Sequence, residues 1–303
     1  MRFPLKTSFL TAVILSCILL FSGAASAEKQ ITIGGKNFTE QYILPEIAKQ
    51  LLENKGFKVD LKTGVSTSIA RKSLESGQID LYFEYTGTAY TVFHKQKDAQ
   101  VMADPQKVFD WVRLADEKKG LTWLDKSALN NTYTMMMKQD RATAENIKTI
   151  SDLGEAVNKD PKKLSIAVSS EFWERPDGIK KLMKVYGFRM KVSRIKKMDP
   201  GITYMAIKND QVDIAMGFAT DGRIAAFGLA NLEDDKQFFP VYNAAPVVRK
   251  AVLDQYPEIA QILKPMADQL TTGEMQTLNK AVDVDHLKIS DVAKQWLKEK
   301  KLI

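Results

Sequence analysis

The sequence predicts an α/β protein of two similar lobes, each built on a mainly parallel sheet. Three observations carry this. Short β-rich runs alternate with helical runs, the pattern of helices packed on parallel strands. The order of those runs occurs twice. A helical stretch follows the second copy and has to pack back on the first lobe. The chain of 303 residues, 45% apolar and 27% charged, is long enough for two domain-sized units of ordinary globular composition.

Residues 1–27 are set apart first. Arg2 and Lys6 precede the apolar run "FLTAVILSCILLF", and "AASA" ends at Ala27. This is the order of a secretory signal peptide cleaved after Ala27. The run is shorter than the ~20 apolar residues that span a bilayer. Cys17, the only cysteine, lies inside it. Leu15 is bulky for a lipidation box and apolar residues continue past Cys17, so lipoprotein anchoring is not expected. The mature chain then has no cysteine for a disulfide or a thiolate site. Loss of Arg2 and Lys6, with no acidic residue, takes the formal charge from +7 to +5. Acidic and basic residues are interspersed, with no basic run carrying aromatics, which argues against nucleic acid.

"KQITIGG" reads as a strand closed by a Gly pair. "TEQYILPEIAKQLLENKG" reads as a helix, with Thr39 as N-cap, a stripe of Ile43, Ile47, Leu51 and Leu52, and Gly56 after the end. Pro45 falls in the early turns, where proline is tolerated best. "FKVDLKTG" is a second strand, residues 66–76 a short helix, and "QIDLYFEY" a third strand. By alternation Ile79, Leu81, Phe83 and Tyr85 share one strand face and Tyr82 takes the other.

The repetition is specific. "GFKVDL" at 56 recurs as "GFRMKV" at 187, an offset of 131; "QIDLYFEYTG" at 78 recurs as "QVDIAMGFAT" at 211, an offset of 133. Upstream, "ITIGGKNFTEQ" echoes "LSIAVSSEFWER", each a strand, a polar loop with a Phe and a helix start. After "FFPVYNAAPVVRKAVL" come three further helical runs to the C-terminus. The expected organisation is a signal peptide at 1–27, a first lobe over 28–133, a second over 134–238, and a return to the first lobe over 239–303. The two interlobe crossovers are expected near Thr132–Lys138 and Phe239–Val247. Two lobes, two crossovers and a signal peptide describe a two-lobed periplasmic solute-binding protein fold of type II, with ligand held in the cleft beyond the carboxyl ends of the strands.

The echo places residues at that cleft. If Tyr85 ends its strand there, Phe218 ends the matching strand opposite, and Tyr133 and Tyr242 lie at the crossings. Four converging π-faces suit a quaternary ammonium, which donates no hydrogen bond and is drawn to each ring by ~1–2 kcal/mol when desolvated. Ordinary core aromatics would give the same pattern. Lys36 lies in the loop after the first strand, before a helix N-terminus, and Arg175 in the equivalent loop of the second lobe. One cation per lobe suits a carboxylate; the alternative is internal pairing with Glu40 or Asp177. Thr88 and Asn131 add neutral hydrogen bonds.

"GGKNFTEQYIL", "IDLYFEYTGT", "NNTY", "SSEFWERPDG", "FATDGRI" and "FFPVYNAAPVVR", in this order, resemble the substrate-binding proteins of osmoprotectant ABC transporters across essentially the whole mature chain. The resemblance implies an aromatic cage for a trimethylammonium group at Tyr85, Tyr133, Phe218 and Tyr242, where the family usually has Tyr in place of Phe218. It implies polar ligand contacts at Lys36, Gln41, Thr88, Asn131 and Arg175. It also implies a ligand such as glycine betaine, choline or carnitine, separate permease and ATPase subunits as partners, action as a monomer in the periplasm, and no cofactor. Keeping both Lys36 and Arg175 favours a betaine over choline.

An enzyme on the same scaffold is the rival of a different class. His94 and His286 lack metal-ligand spacing and suit packing or surface roles, and no H-E-x-x-H, Walker or G-x-S-x-G motif is present. A polyamine binder is a second rival; it would need carboxylates in the cleft rather than Lys36 and Arg175.

Overall fold

The structure is a computed structural model that describes residues 28–303. The expected signal peptide, its expected cleavage point and Cys17 lie outside the described residues. Ten strands are present among these residues: β1 (Lys29–Lys36), β2 (Phe57–Val65), β3 (Leu81–Tyr85), β4 (Leu121–Trp123), β5 (Tyr133–Lys138), β6 (Ile166–Val168), β7 (Ile195–Lys197), β8 (Ile214–Phe218), β9 (Leu229–Leu232) and β10 (Ala244–Arg249). They form two five-stranded sheets, ordered β2-β1-β3-β10-β4 and β7-β6-β8-β5-β9.

The two sheets match position for position. In each, three strands run parallel (β2-β1-β3 and β7-β6-β8), and the fourth, β10 or β5, is antiparallel to both neighbours. Four of the five strands in each sheet thus point the same way, as the sequence predicts, and one reversed strand makes each sheet mixed. The cause is connectivity. β3 and β8 end at the cleft, while β10 and β5 are entered from the other lobe and so start at the cleft. A strand that begins where its neighbour ends has to run the opposite way. Tyr85, the last residue of β3, pairs with Ala244, the first of β10, and Phe218, the last of β8, pairs with Tyr133, the first of β5.

The chain crosses between sheets just upstream of β5 and β10, the first crossing slightly earlier than Thr132–Lys138 and the second within Phe239–Val247. The two crossing segments lie side by side. Asn130 and Asn243 form an antiparallel bridge. Asn131 N donates to Tyr242 O at 3.0 Å, and Tyr242 N donates to Asn130 Oδ1 at 2.8 Å.

The helix Glu40–Glu53 buries its expected stripe, but also Leu44 and Ala48 off that stripe. Its outer face is covered by the helices Glu258–Gln269, Thr272–Asp283 and Ile289–Glu299, which return to the first lobe. Thr39 is not a side-chain cap. Its backbone is already helical, and its hydroxyl bonds Asp283 Oδ1 at 2.7 Å instead. The helix Thr67–Glu75 is capped as its sequence suggests, with Ser66 accepting from Ile69 N.

In β3, Leu81, Phe83 and Tyr85 enter one apolar cluster and Tyr82 another. Ile79 sits with Tyr82 rather than with Phe83, because it precedes the strand and is outside its alternation. His94 packs on Trp111, and its Nε2 lies 2.8 Å from the buried Asp116, which also takes two bonds from Arg71 and one from Trp123 Nε1. No helix among the described residues is long and apolar enough to cross a membrane.

Candidate functional site

The strand ends deliver the aromatic residues. Because Tyr85 and Phe218 close parallel strands in opposite lobes, their side chains emerge at the same end of each sheet. Tyr133 sits beside Phe218 through the β5–β8 register, with ring centroids 5.1 Å apart. Tyr242, in the second crossing segment, meets Tyr133 edge-on at 5.7 Å. After β3 the chain turns at once into the helical turn Thr86–Thr88 and a single π turn, Ala89–Phe93. Gly87 is required there, since a Cβ would stand 2.8 Å from both the Tyr242 ring and Val241 O.

These rings line a cavity of about 170 Å³ between the lobes, together with Lys36, Phe38, Thr88, Asn131, Ser169, Glu171 and Arg175. The first cation is not free. Lys36 ends β1 just past a register shift, and its Nζ lies 2.5 Å from Glu84 Oε1 and 4.9 Å from the Tyr85 ring centroid. Glu84 is fully buried and also accepts from Tyr82 Oη and Tyr85 N. The second cation is paired as well. Arg175 Nε and Nη2 grip both oxygens of Asp177 at 2.8 and 2.7 Å, while Nη1 lies 3.4 Å from Thr88 Oγ1. Its guanidinium carbon stands 5.2 Å from the Tyr133 ring centroid and 5.8 Å from that of Tyr242.

Asp177 ties the lobes together, accepting from Tyr242 Oη at 2.5 Å and Thr91 Oγ1 at 3.0 Å. Burial alone would raise its pKa, but the Arg175 guanidinium and these donors outweigh burial and hold it below the usual value. On the other side of the cavity Glu40 is buried and accepts from Tyr85 Oη at 2.6 Å, Thr220 Oγ1 at 2.7 Å and Asn131 Nδ2 at 3.1 Å. Burial pushes its carboxyl up to about 7, and the three donors limit the rise. Burial, and then the neighbouring Glu40 charge, keeps the Tyr85 hydroxyl protonated far above its ordinary pKa.

Of the sequence-named residues, Tyr85, Tyr133, Phe218, Tyr242, Lys36, Thr88, Asn131 and Arg175 line this cavity. Gln41 does not. It is fully buried behind the wall, where its side chain accepts from Lys36 N and donates to Phe83 O and Tyr85 Oη. One helical position past Glu40, it faces β3 rather than the cleft.

A family model described as the substrate binding domain of ABC-type glycine betaine transport systems (OpuAC) matches residues 29–299. The chain belongs to this family. The OpuAC family consists of substrate-binding components of ABC transporters, not enzymes, and of components that typically act outside the cytoplasm. A glycine-betaine-binding protein of Pseudomonas aeruginosa is 37% identical over 95% of this chain and 94% of its own length. The glycine betaine-binding protein YehZ of Escherichia coli is 34% identical over 95% of each chain. Among solved structures, one of a glycine betaine/carnitine/choline ABC transporter superposes with a TM-score of 0.72. It is 30% identical and covers 90% of this chain and 99% of the other.

Sequence reading missed Phe38, whose ring stacks 5.1 Å from Phe218 and 6.2 Å from Tyr85, bridging the two lobes. It also missed Phe172, stacked 4.7 Å from Tyr133. Both are the Phe of the repeated polar loop, so the internal echo held the signal. Glu84 gave none, because its meeting with Lys36 depends on β1 and β3 being neighbours.

Proposed function

We propose that this chain is the extracytoplasmic substrate-binding component of an osmoprotectant importer and captures a quaternary ammonium compound, glycine betaine first among them. The observation that carries this reading is the convergence of Tyr85, Tyr133, Phe218 and Tyr242 from four separate segments on one interlobe cavity. A trimethylammonium group has no N–H to satisfy, so ring faces are its natural partners. Ligand bridges the lobes, shifts the open–closed equilibrium toward closed, and the closed form docks on a separate permease served by an ATPase. In this reading the protein is exported through a signal peptide cleaved after Ala27, acts as a monomer in the periplasm and uses no cofactor. Lobe 1 comprises residues 28–133 and 239–303, and lobe 2 residues 134–238. Thr88 and Asn131 supply neutral polar contacts.

Carboxylate recognition by Lys36 and Arg175 draws on the donors left after pairing with Glu84 and Asp177. That internal neutralisation favours a second reading, a ligand without a carboxylate such as choline. The names of relatives support the same range, including a carnitine transport binding protein of Listeria monocytogenes that is 33% identical. Calorimetric titration against glycine betaine, choline, carnitine and proline betaine tests both. Tightest binding of glycine betaine supports the first reading and tightest binding of choline the second. Absence of heat with all four would sink the quaternary-ammonium assignment.

A further inference from the structure

A second chamber of about 270 Å³ adjoins the aromatic cavity, with Phe38, Phe218 and Asn131 lining both. Its other walls differ in chemistry. Glu40, Asp221, Asp283 and Asn279 present acceptors, and Arg223 is the cation among them. Arg223 already donates to both oxygens of Asp221 through Nε and Nη2. Its Nη2 also approaches Asp283 Oδ2 at 3.1 Å without forming a hydrogen bond.

Asn279 gives the independent sign that something is missing. It is 3% exposed, its Nδ2 donates to Thr220 O at 2.9 Å, and its Oδ1 is buried with no partner. Three buried side-chain polar atoms lack a hydrogen-bond partner among the described residues, and two of them, Asn279 Oδ1 and Asp283 Oδ2, belong to residues that line this chamber. Unpaired buried acceptors are costly and rare in native proteins. Here both call for a donor, not for another acceptor.

We infer that this chamber is a second ligand subsite that accepts a primary ammonium group, beside the aromatic subsite for a quaternary one. The inference rests on the reading of the aromatic cavity as the ligand site. An ammonium brings three N–H donors and a positive charge, matching Asn279 Oδ1, Asp283 Oδ2 and the Glu40 carboxylate. The charges agree. Four carboxyls (Glu40, Asp199, Asp221 and Asp283) face one guanidinium, while Tyr42 and Tyr204 complete the titratable wall. Burial raises the pKa of both Glu40 and Asp283, as expected of carboxyls short of positive charge. The substrate class is then a trimethylammonium compound with an amino group on a short chain.

The test compares (3-aminopropyl)trimethylammonium with butyltrimethylammonium, which replaces the ammonium by a methyl. At pH 7 the amino compound is expected to bind at least about tenfold tighter, the scale of a charge-assisted hydrogen bond. It should also release protons, seen as a binding heat that changes with the ionisation heat of the buffer. Asp283→Asn and Asn279→Leu should each cut that preference severalfold, with glycine betaine affinity in Asp283→Asn held within about twofold. Equal or weaker binding of the amino compound, or a preference that survives both substitutions, overturns the inference. If glycine betaine binds and no preference appears, the second subsite alone fails. If glycine betaine and both probes fail to bind, the aromatic reading falls and this one with it.

Discussion

Tyr242 donates its hydroxyl to Asp177 across the cleft at 2.5 Å, and that same carboxylate holds Arg175 in a two-point ion pair. A cavity-lining ring of the first lobe is thus pinned by a buried charge pair of the second. Asp177→Ala strands the Arg175 guanidinium, which is 7% exposed, and removing one partner of a buried pair costs about 3–5 kcal/mol. Tyr242→Phe keeps the ring and removes only the link, at about 1–2 kcal/mol. Urea unfolding of both variants should rank them in that order. A Tyr242→Phe loss equal to that of Asp177→Ala would show that the charge pair is not what holds this corner.

Ring faces and ring volume can be separated at Tyr133. It contacts Phe172, Phe218, Phe239 and Tyr242, so truncation to Ala would both remove a π-face and open a void. Tyr133→Leu retains most of the apolar bulk without the face. Loss of one cation–π contact of ~1–2 kcal/mol predicts about five- to thirtyfold weaker glycine betaine binding. Phe38→Leu should weaken binding in the same direction. Calorimetry that finds both variants binding as the parent does would remove these rings from the site.

The strand ends were legible in the sequence because the repeat aligned Tyr85 with Phe218, and a duplicated lobe brings duplicated ends to the same edge. Strand direction was not legible. Apolar alternation in β5 or β10 is the same whichever way the strand runs, and only the crossing geometry makes it antiparallel. The partners of Lys36 and Arg175 show the same division. Asp177 was nameable because it is two residues from Arg175, whereas Glu84 is 48 residues from Lys36 and meets it through strand adjacency. Gln41 was misplaced for a helical reason: one residue is about a quarter turn, enough to move a side chain from the cavity to its back wall.

Glu40 predicts a pH dependence. Its folded-state pKa of about 7 lies above the ordinary 4.5. A carboxyl raised on folding contributes full stability below the unfolded value, and that contribution fades as pH rises through the folded value. Stability should therefore fall between about pH 4.5 and 7, by up to about 3 kcal/mol for a shift of this size. The depressed Asp177 works in the opposite sense and in more acid solution. Glu40→Gln keeps the shape and removes the titration, so its urea midpoint should be flatter from pH 5 to 8. A parent midpoint that does not change over that range would contradict the burial argument.

Gly222 decides how far the lobes can close. It lies on the loop after β8, and a Cβ there would stand 2.5 Å from Lys280 Cβ and 2.7 Å from Lys280 Cα on the helix Thr272–Asp283. Two hydrogen bonds cross the same seam, Asn279 Nδ2 to Thr220 O and Gln276 Nε2 to Ala219 O. A helix backbone cannot retreat as a flexible side chain can, so Gly222→Val has to hold the lobes apart. Neither lobe's own core is touched, so thermal melting without ligand should change little. Closure should suffer instead. With saturating glycine betaine the small-angle scattering radius should contract less than that of the parent, and affinity should drop about tenfold or more, since closure supplies half of the cage. Parental affinity together with parental contraction would mean that this seam does not limit closure.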